Sequence, residues 1–281
     1  MLKYIVYKLF VTRVYSEKTN SYYTTSYSIM SNKSANDYAL VFNKINDNIK
    51  LYLDIGEDYQ INELHTDFEV AIGSGCRQIY PQVKIKYCIW HQLRAIENKK
   101  NNFCKDDINS DDELFVLYNV ICNLFICDPE YVKLVFALIK KENKNNNFKE
   151  FLNYFENEYI NKYGVESWNY AENVRHVTNN ACELYNSKLN RLFSVKPTFH
   201  ELLYELRLEE HQISVTYNKR KNGLLGLEFR RRLKTEKKLF ILSNDIKLIE
   251  EMPNVTSVDI KNKAIAWLDT LKKLGKGLLG N

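Results

Sequence analysis

The stretch that decides the fold is INELHTDFEVAI, residues 61–72. A short apolar run over 60–66 predicts a buried strand, and the apolar spacing that follows predicts a helix over 68–80. Asp67 stands where the strand gives way to the helix. Ligands of α/β proteins bind at the carboxyl ends of strands, so a carboxylate at this point is a candidate metal ligand.

The same letters allow a structural interpretation of this stretch. TDFE matches a capping box, in which Thr66 is the N-cap and Glu69 is the third residue of the helix. The residues alone leave both interpretations open, and the spacing alone favours the capping box.

Strands and helices alternate on both sides of this stretch. Ser34 is a candidate N-cap, and Pro81 ends a helix. The predicted strands are 4–15 and 22–30, which form a hairpin, 60–66 and 83–90. The predicted helices are 34–53, 68–80 and 91–100. This order predicts an α/β domain with a mixed sheet.

The rest of the chain has no strand pattern. We expect a first part of the core over 1–104, an all-helical insertion over 105–172, a return of the core over 173–218 and a basic helical extension over 219–281. The return begins with a helix from about residue 181. An apolar stripe in the extension includes Trp267 and Leu271.

The composition is that of a globular protein. Of the 281 residues, 45% are hydrophobic and 27% are charged, which excludes a disordered chain. Six cysteines without a CxxC pair favour a reduced, intracellular protein. Charged residues interrupt the first apolar run, so it lacks a clean signal-peptide block. No apolar run reaches about 18 residues, so we expect no membrane span.

Positive charge is concentrated in one block. The net charge is +5, but residues 219–238 hold nine Lys or Arg and two Glu, a balance of +7, so the rest of the chain carries −2. Such a block can bind nucleic-acid phosphates, and it can equally be a solvated helix face. Its KRK and RRR clusters also allow nuclear import. The candidate phosphate-binding residues are Lys219, Arg220, Lys221, Arg230, Arg231 and Arg232.

Two further places carry candidate ligands. Glu183 begins a polar helix face, either as a metal ligand or as part of a cap with Asn180. Cys88 and His91 form a C-x-x-H pair at the end of the strand 83–90. A zinc site needs about four such ligands, so a packing cysteine and a capping histidine is the commoner interpretation.

Taken in their order along the chain, these motifs resemble those of a known family. HTDFEVAIGSGCRQIYPQVKIKYCIWHQLRAIENK (65–99) is similar to the core of Mutator-like element (MULE) transposases, which carry T-D-x-E, then an aromatic residue before Pro, then C-x-x-H. The upstream hairpin and helix, and the downstream TNNACELYN with its following Pro, are similar to the family in the same order. The resemblance covers about residues 5–217.

The resemblance implies an RNase H-like fold with a DDE triad, whose carboxylates hold two Mg²⁺ or Mn²⁺ ions for DNA cleavage and strand transfer. By position, Asp67 is the second acid and Glu183 the third, while Cys88 and His91 support the core beside the site. It also implies DNA as partner, a nuclear location and no membrane, and it allows a homo-oligomer.

This chain departs from the family at the first acid. That residue belongs on a strand before LFVTRVY, where MLKYIVYK has no carboxylate. We therefore expect a catalytic domain truncated at its N-terminus and inactive alone. The alternative is a non-catalytic, transposon-derived DNA-binding protein.

Overall fold

A computed structural model describes residues 8–53, 59–172, 180–193, 197–226 and 234–275. The described residues are mostly helical, with two small sheets. The strands are β1 (Lys8–Ser16), β2 (Ser21–Met30), β3 (Glu63–Thr66) and β4 (Lys84–Tyr87). The helices are α1 (Ala35–Leu53), α2 (Val70–Ile79), α3 (Ile89–Phe103), α4 (Lys105–Ser110), α5 (Asp112–Asn123), α6 (Pro129–Glu142), α7 (Asn146–Phe155), α8 (Asn180–Leu192), α9 (Phe199–Lys221), α10 (Lys234–Glu251) and α11 (Ser257–Lys273).

The chain divides into two compact units. The first unit comprises Met1–Leu64, Glu69–Val83 and Asn179–Arg231. The second unit comprises His65–Phe68, Lys84–Thr178 and Arg232–Asn281.

The predicted hairpin is confirmed in the first unit. β1 pairs antiparallel with β2 from Lys8 opposite Met30 to Ser16 opposite Ser21, with an irregularity at Thr12/Arg13. A short 3-10 turn and a left-handed Asn20 (φ 51°) connect the strands. The predicted first strand began at residue 4, and residues 4–7 lie outside the described residues.

α1 and α2 pack closely in this unit. Ser34 caps α1 as predicted, because its Oγ accepts from the Asp37 N–H (3.2 Å) while Asp37 accepts from the Ser34 N–H (3.1 Å). Tyr38 and Phe42 on α1 are buried. A Cβ added at Gly75 of α2 would lie 2.6 Å from the Ala35 carbonyl oxygen, so only glycine permits this approach.

α8 and α9 complete the first unit. Their apolar faces meet the hairpin in a small cluster of Tyr185, Leu189 and Leu206, against which Leu9, Val11 and Tyr27 pack. Tyr185 and Leu189 therefore form the buried side of α8, whereas Leu192 is exposed.

The second unit has a large helical core. α3, α5, α6, α7 and α11 contribute most of it, with Phe136, Phe151, Phe155, Trp168 and Leu271 among its buried side chains. The predicted insertion over 105–172 is helical throughout its regular elements, including one π-helical segment, Glu156–Tyr163.

The sheets are smaller than predicted. In the described residues β1 pairs with β2 and β3 with β4, as two separate two-stranded sheets. Helices with small sheets are compatible with an α/β class, and the RNase H-like mixed sheet stays a prediction. None of the helices described carries an apolar stretch of the length that a bilayer crossing requires.

Candidate metal centre

The ends of β3 and β4 are held together in the second unit. The Cys88 N–H, one residue after β4, donates to the carbonyl oxygen of Thr66, the last residue of β3, at 2.9 Å. Asp67 and Cys88 therefore follow paired strand ends and lie side by side.

Asp67 caps no helix. α2 begins at Val70 with Glu69 in the N-cap position, and the Glu69 side chain makes no capping hydrogen bond. Glu69 instead accepts from the Tyr38 hydroxyl (2.8 Å) and pairs with Lys33 (3.1 Å). The capping-box interpretation of TDFE is wrong, because residues 67–69 are not helical and α2 starts only at Val70.

His91 lies beside Asp67. α3 begins at Ile89 with Cys88 as its N-cap residue, so His91 is in the first helical turn. Its Nδ1 lies 3.2 Å from Asp67 Oδ1. The expectation of a capping histidine is not met, because His91 lies inside the helix and its ring contacts the carboxylate.

Three donor atoms converge at this point. A carboxylate oxygen of Asp67, Cys88 Sγ and a ring nitrogen of His91 lie within 4.8 Å of one another. Cys88 is only 2% exposed, whereas the side chains of His91 and Asp67 are 31% and 46% exposed. The thiol is therefore buried, whereas the side chains of Asp67 and His91 are partly exposed.

Aromatic packing fixes the loop that carries Asp67. The Phe68 ring stacks on Tyr87 with centroids 4.6 Å apart and meets Tyr163 edge-on at 4.8 Å. Tyr170 donates to the Tyr87 carbonyl oxygen at 3.1 Å. These contacts anchor the strand ends on the helical core. Sequence reasoning missed them, because Tyr163 and Tyr170 lie about 75 residues or more after Tyr87.

Glu183 belongs to the first unit, in the first turn of α8. Its polar helix face is as predicted, because Asn186, Ser187 and Asn190 are exposed. α8 begins at Asn180, the first described residue after 172, so the alternative that Asn180 is the N-cap stays a prediction.

The basic block is only partly described. Lys219 and Lys221 are exposed at the end of α9. Arg220 instead turns to the hairpin, where it donates to Ser21 Oγ at 3.1 Å and to the Tyr23 hydroxyl at 3.5 Å. Arg230, Arg231 and Arg232 lie outside the described residues.

The matched part of the sequence is the part that carries Asp67, Cys88 and His91. Residues 4–95 match the family model of the MULE transposase domain. This MULE match spans 92 of the 281 residues and ends in α3, so Glu183 and the basic block lie beyond it. It supports a transposase of the MULE family. No curated protein and no solved structure matches the chain.

Proposed function

We propose that this chain is a transposon-derived domain of the MULE type that acts on DNA, with Asp67 and Glu183 as metal-ligating carboxylates. The observation that carries the proposal is the position of Asp67. It lies within the MULE match, directly after a paired strand, and its carboxylate is 46% exposed and caps no helix. Glu183 is assigned by the resemblance alone.

The donor chemistry fits a divalent ion in part. Asp67 offers the carboxylate oxygens that Mg²⁺ and Mn²⁺ prefer. Cys88 and His91 offer sulfur and nitrogen, which Mg²⁺ seldom takes. When bound, the ion would supply Lewis-acid activation of a water or a 3′-hydroxyl for attack on a phosphodiester.

In such chemistry, the residues around Asp67 would hold its carboxylate in place. The hydrogen bond between Cys88 and Thr66 holds the backbone on both sides of Asp67. His91 Nδ1, at 3.2 Å, orients one oxygen of the Asp67 carboxylate. Phe68 keeps the loop on the core.

We do not propose that this chain cleaves DNA by itself. Residues 1–16 contain no Asp or Glu, so the first acid that the resemblance requires has no counterpart there. The second candidate function is DNA binding without cleavage. The exposed Lys219 and Lys221 at the end of α9 favour it, because they are available to phosphates.

The experiment that tests the proposal is a titration with Mn²⁺, followed by electron paramagnetic resonance of the free ion. We expect Asp67→Asn to weaken the affinity at least about tenfold, because an amide replaces a charged ligand. Glu183→Gln should weaken it as well. Asp47→Asn, at an exposed position of α1, is the matched control and should leave the affinity unchanged. Equal Mn²⁺ affinity in the wild type and Asp67→Asn would refute the assignment.

A further inference from the structure

Cys88 and His91 bring to the strand ends two donors that Mg²⁺ chemistry does not need. Their side chains converge with Asp67 on one point, and the three donor atoms lie within 4.8 Å of one another. In the part of the chain that the structure describes, no other cysteine belongs to such a group of donors. This convergence is therefore particular to Cys88.

The three donors are those of a zinc-class ion. Zn²⁺ takes thiolate sulfur at about 2.3 Å and imidazole nitrogen or carboxylate oxygen at about 2.0–2.2 Å. At a tetrahedral angle these bond lengths place neighbouring ligand atoms about 3.3–3.7 Å apart. His91 Nδ1 and Asp67 Oδ1 are already 3.2 Å apart. The other donor pairs lie within 4.8 Å of one another, so small side-chain rotations would bring them into the same range.

The charges and the exposure suit such an ion. A thiolate and a carboxylate together neutralise a divalent cation, and a neutral histidine completes three ligands. Cys88 is buried, and Asp67 and His91 are partly exposed, so an ion bound by the three would lie at the edge of the core. Three protein ligands with an open fourth position are typical of zinc sites that exchange a water or a substrate.

The other buried cysteines provide a contrast within the same chain. Burial raises the pKa of Cys76 to about 12 and that of Cys122 to about 12, so both stay protonated near neutral pH. Cys104 is as buried as Cys88, at 2% exposure, and burial raises its pKa to about 11. Cys104 is therefore a matched cysteine outside the group.

We propose that Asp67, Cys88 and His91 bind one zinc-class ion. The inference goes beyond the proposed function, because it assigns a chemistry to Cys88 and His91 and holds whether or not the chain acts on DNA. It also predicts that Mg²⁺ does not displace this ion, since Mg²⁺ prefers oxygen ligands and does not replace bonds to sulfur and nitrogen.

Co²⁺ is the probe, because it replaces zinc and reports its ligands by absorption. The metal-free full chain should give a thiolate-to-cobalt charge-transfer band in the near ultraviolet with one equivalent of Co²⁺. Zn²⁺ should abolish the band, and an excess of Mg²⁺ should leave it. Cys88→Ser should remove the band, and Cys104→Ser should keep it. His91→Gln, at a part-exposed position, should weaken Co²⁺ binding at least about tenfold.

Absence of the band in the wild type, or its persistence in Cys88→Ser, would overturn the inference. Circular dichroism of the metal-free variants checks their folding, and His91→Gln gives a second test if Cys88→Ser does not fold. The outcomes separate the two proposals. If the cobalt band is missing but Asp67→Asn still weakens Mn²⁺ binding, only the zinc-class site is refuted. If the band is present but Asp67→Asn leaves the Mn²⁺ affinity unchanged, only the proposed function is refuted.

Discussion

Arg13 joins the hairpin to the helix that carries Glu183. Its guanidinium donates to the carbonyl oxygens of Ala181 on α8 and Tyr22 on β2. It also lies 4.6 Å from the centre of the Tyr185 ring. The planar fork of an arginine can make all three contacts at once, which the single ammonium of a lysine cannot. Arg13 therefore fixes the start of α8, two residues before Glu183.

We expect Arg13→Lys to destabilise the first unit by about 1–3 kcal/mol, because at least one charge-assisted hydrogen bond and the stacking on Tyr185 are lost. Urea unfolding measures the loss, and hydrogen exchange locates it at the first turn of α8. Arg77→Lys, the same change at an exposed position of α2, should alter stability by less than about 0.5 kcal/mol. Equal stability of the two variants would contradict the role of Arg13.

At the scale of elements, the close contact between α1 and α2 depends on the absence of a side chain at Gly75. A Cβ at position 75 would meet the Ala35 carbonyl oxygen at 2.6 Å, Tyr38 Cβ at 2.6 Å and the Ala39 nitrogen at 2.9 Å. Two of these three atoms are backbone atoms, which cannot move without moving α1. Gly75 therefore sets the distance between the two helices.

Gly75→Ala tests this packing, because the intrinsic and the packing effects have opposite signs. Alanine favours a helix by about 1 kcal/mol over glycine, but forcing α1 and α2 apart costs about 1–3 kcal/mol. We expect net destabilisation in thermal unfolding. Ser74→Ala, at the exposed neighbouring position, carries no such clash and should be neutral or stabilising. A Gly75→Ala protein as stable as the wild type would contradict the close approach.

The elements were predictable where the pattern is local. Apolar spacing predicted α1 within one residue of its start. The short apolar run over 60–66 predicted β3, but the prediction of a buried strand was wrong, because Thr66 is the only buried residue of Glu63–Thr66. The start of α2 was not predictable, because the capping-box letters at 66–69 compete with tertiary contacts. Tyr38 and Lys33 bind the Glu69 carboxylate that the box would have used. The contact between Asp67 and His91 was also missed, since it depends on how β3 pairs with β4.

For the candidate site, the sequence predicted the residues better than their geometry. Asp67, Cys88 and His91 were singled out from their spacing and the resemblance, and the structure brings these three together. The aromatic side chains that anchor the Asp67 loop come from the helical segment far along the chain. No local pattern encodes such a contact.

At the scale of the whole molecule, the charge distribution determines which part of the chain would bind a polyanion such as DNA. The net charge is +5, yet the 219–238 block alone carries +7. Within its described part, Arg220 is hydrogen-bonded to Ser21 of the hairpin, whereas Lys219 and Lys221 are exposed. Non-specific DNA affinity should therefore depend on these two lysines rather than on Arg220.

A salt titration of duplex DNA binding measures that dependence. The logarithm of the affinity should fall linearly with the logarithm of the salt concentration, since each phosphate contact releases counterions. Replacing Lys219 and Lys221 together by Ala should reduce the slope by about 2, or about 1 for each lysine. Replacing Lys133 and Lys149, exposed on α6 and α7, should leave the slope unchanged, and EDTA should change the slope of neither double variant.

A slope that is the same in both double variants would show that Lys219 and Lys221 do not contribute to DNA binding. A slope reduced only by the first pair would place the phosphate contacts at the end of α9, whether or not the metal site cleaves.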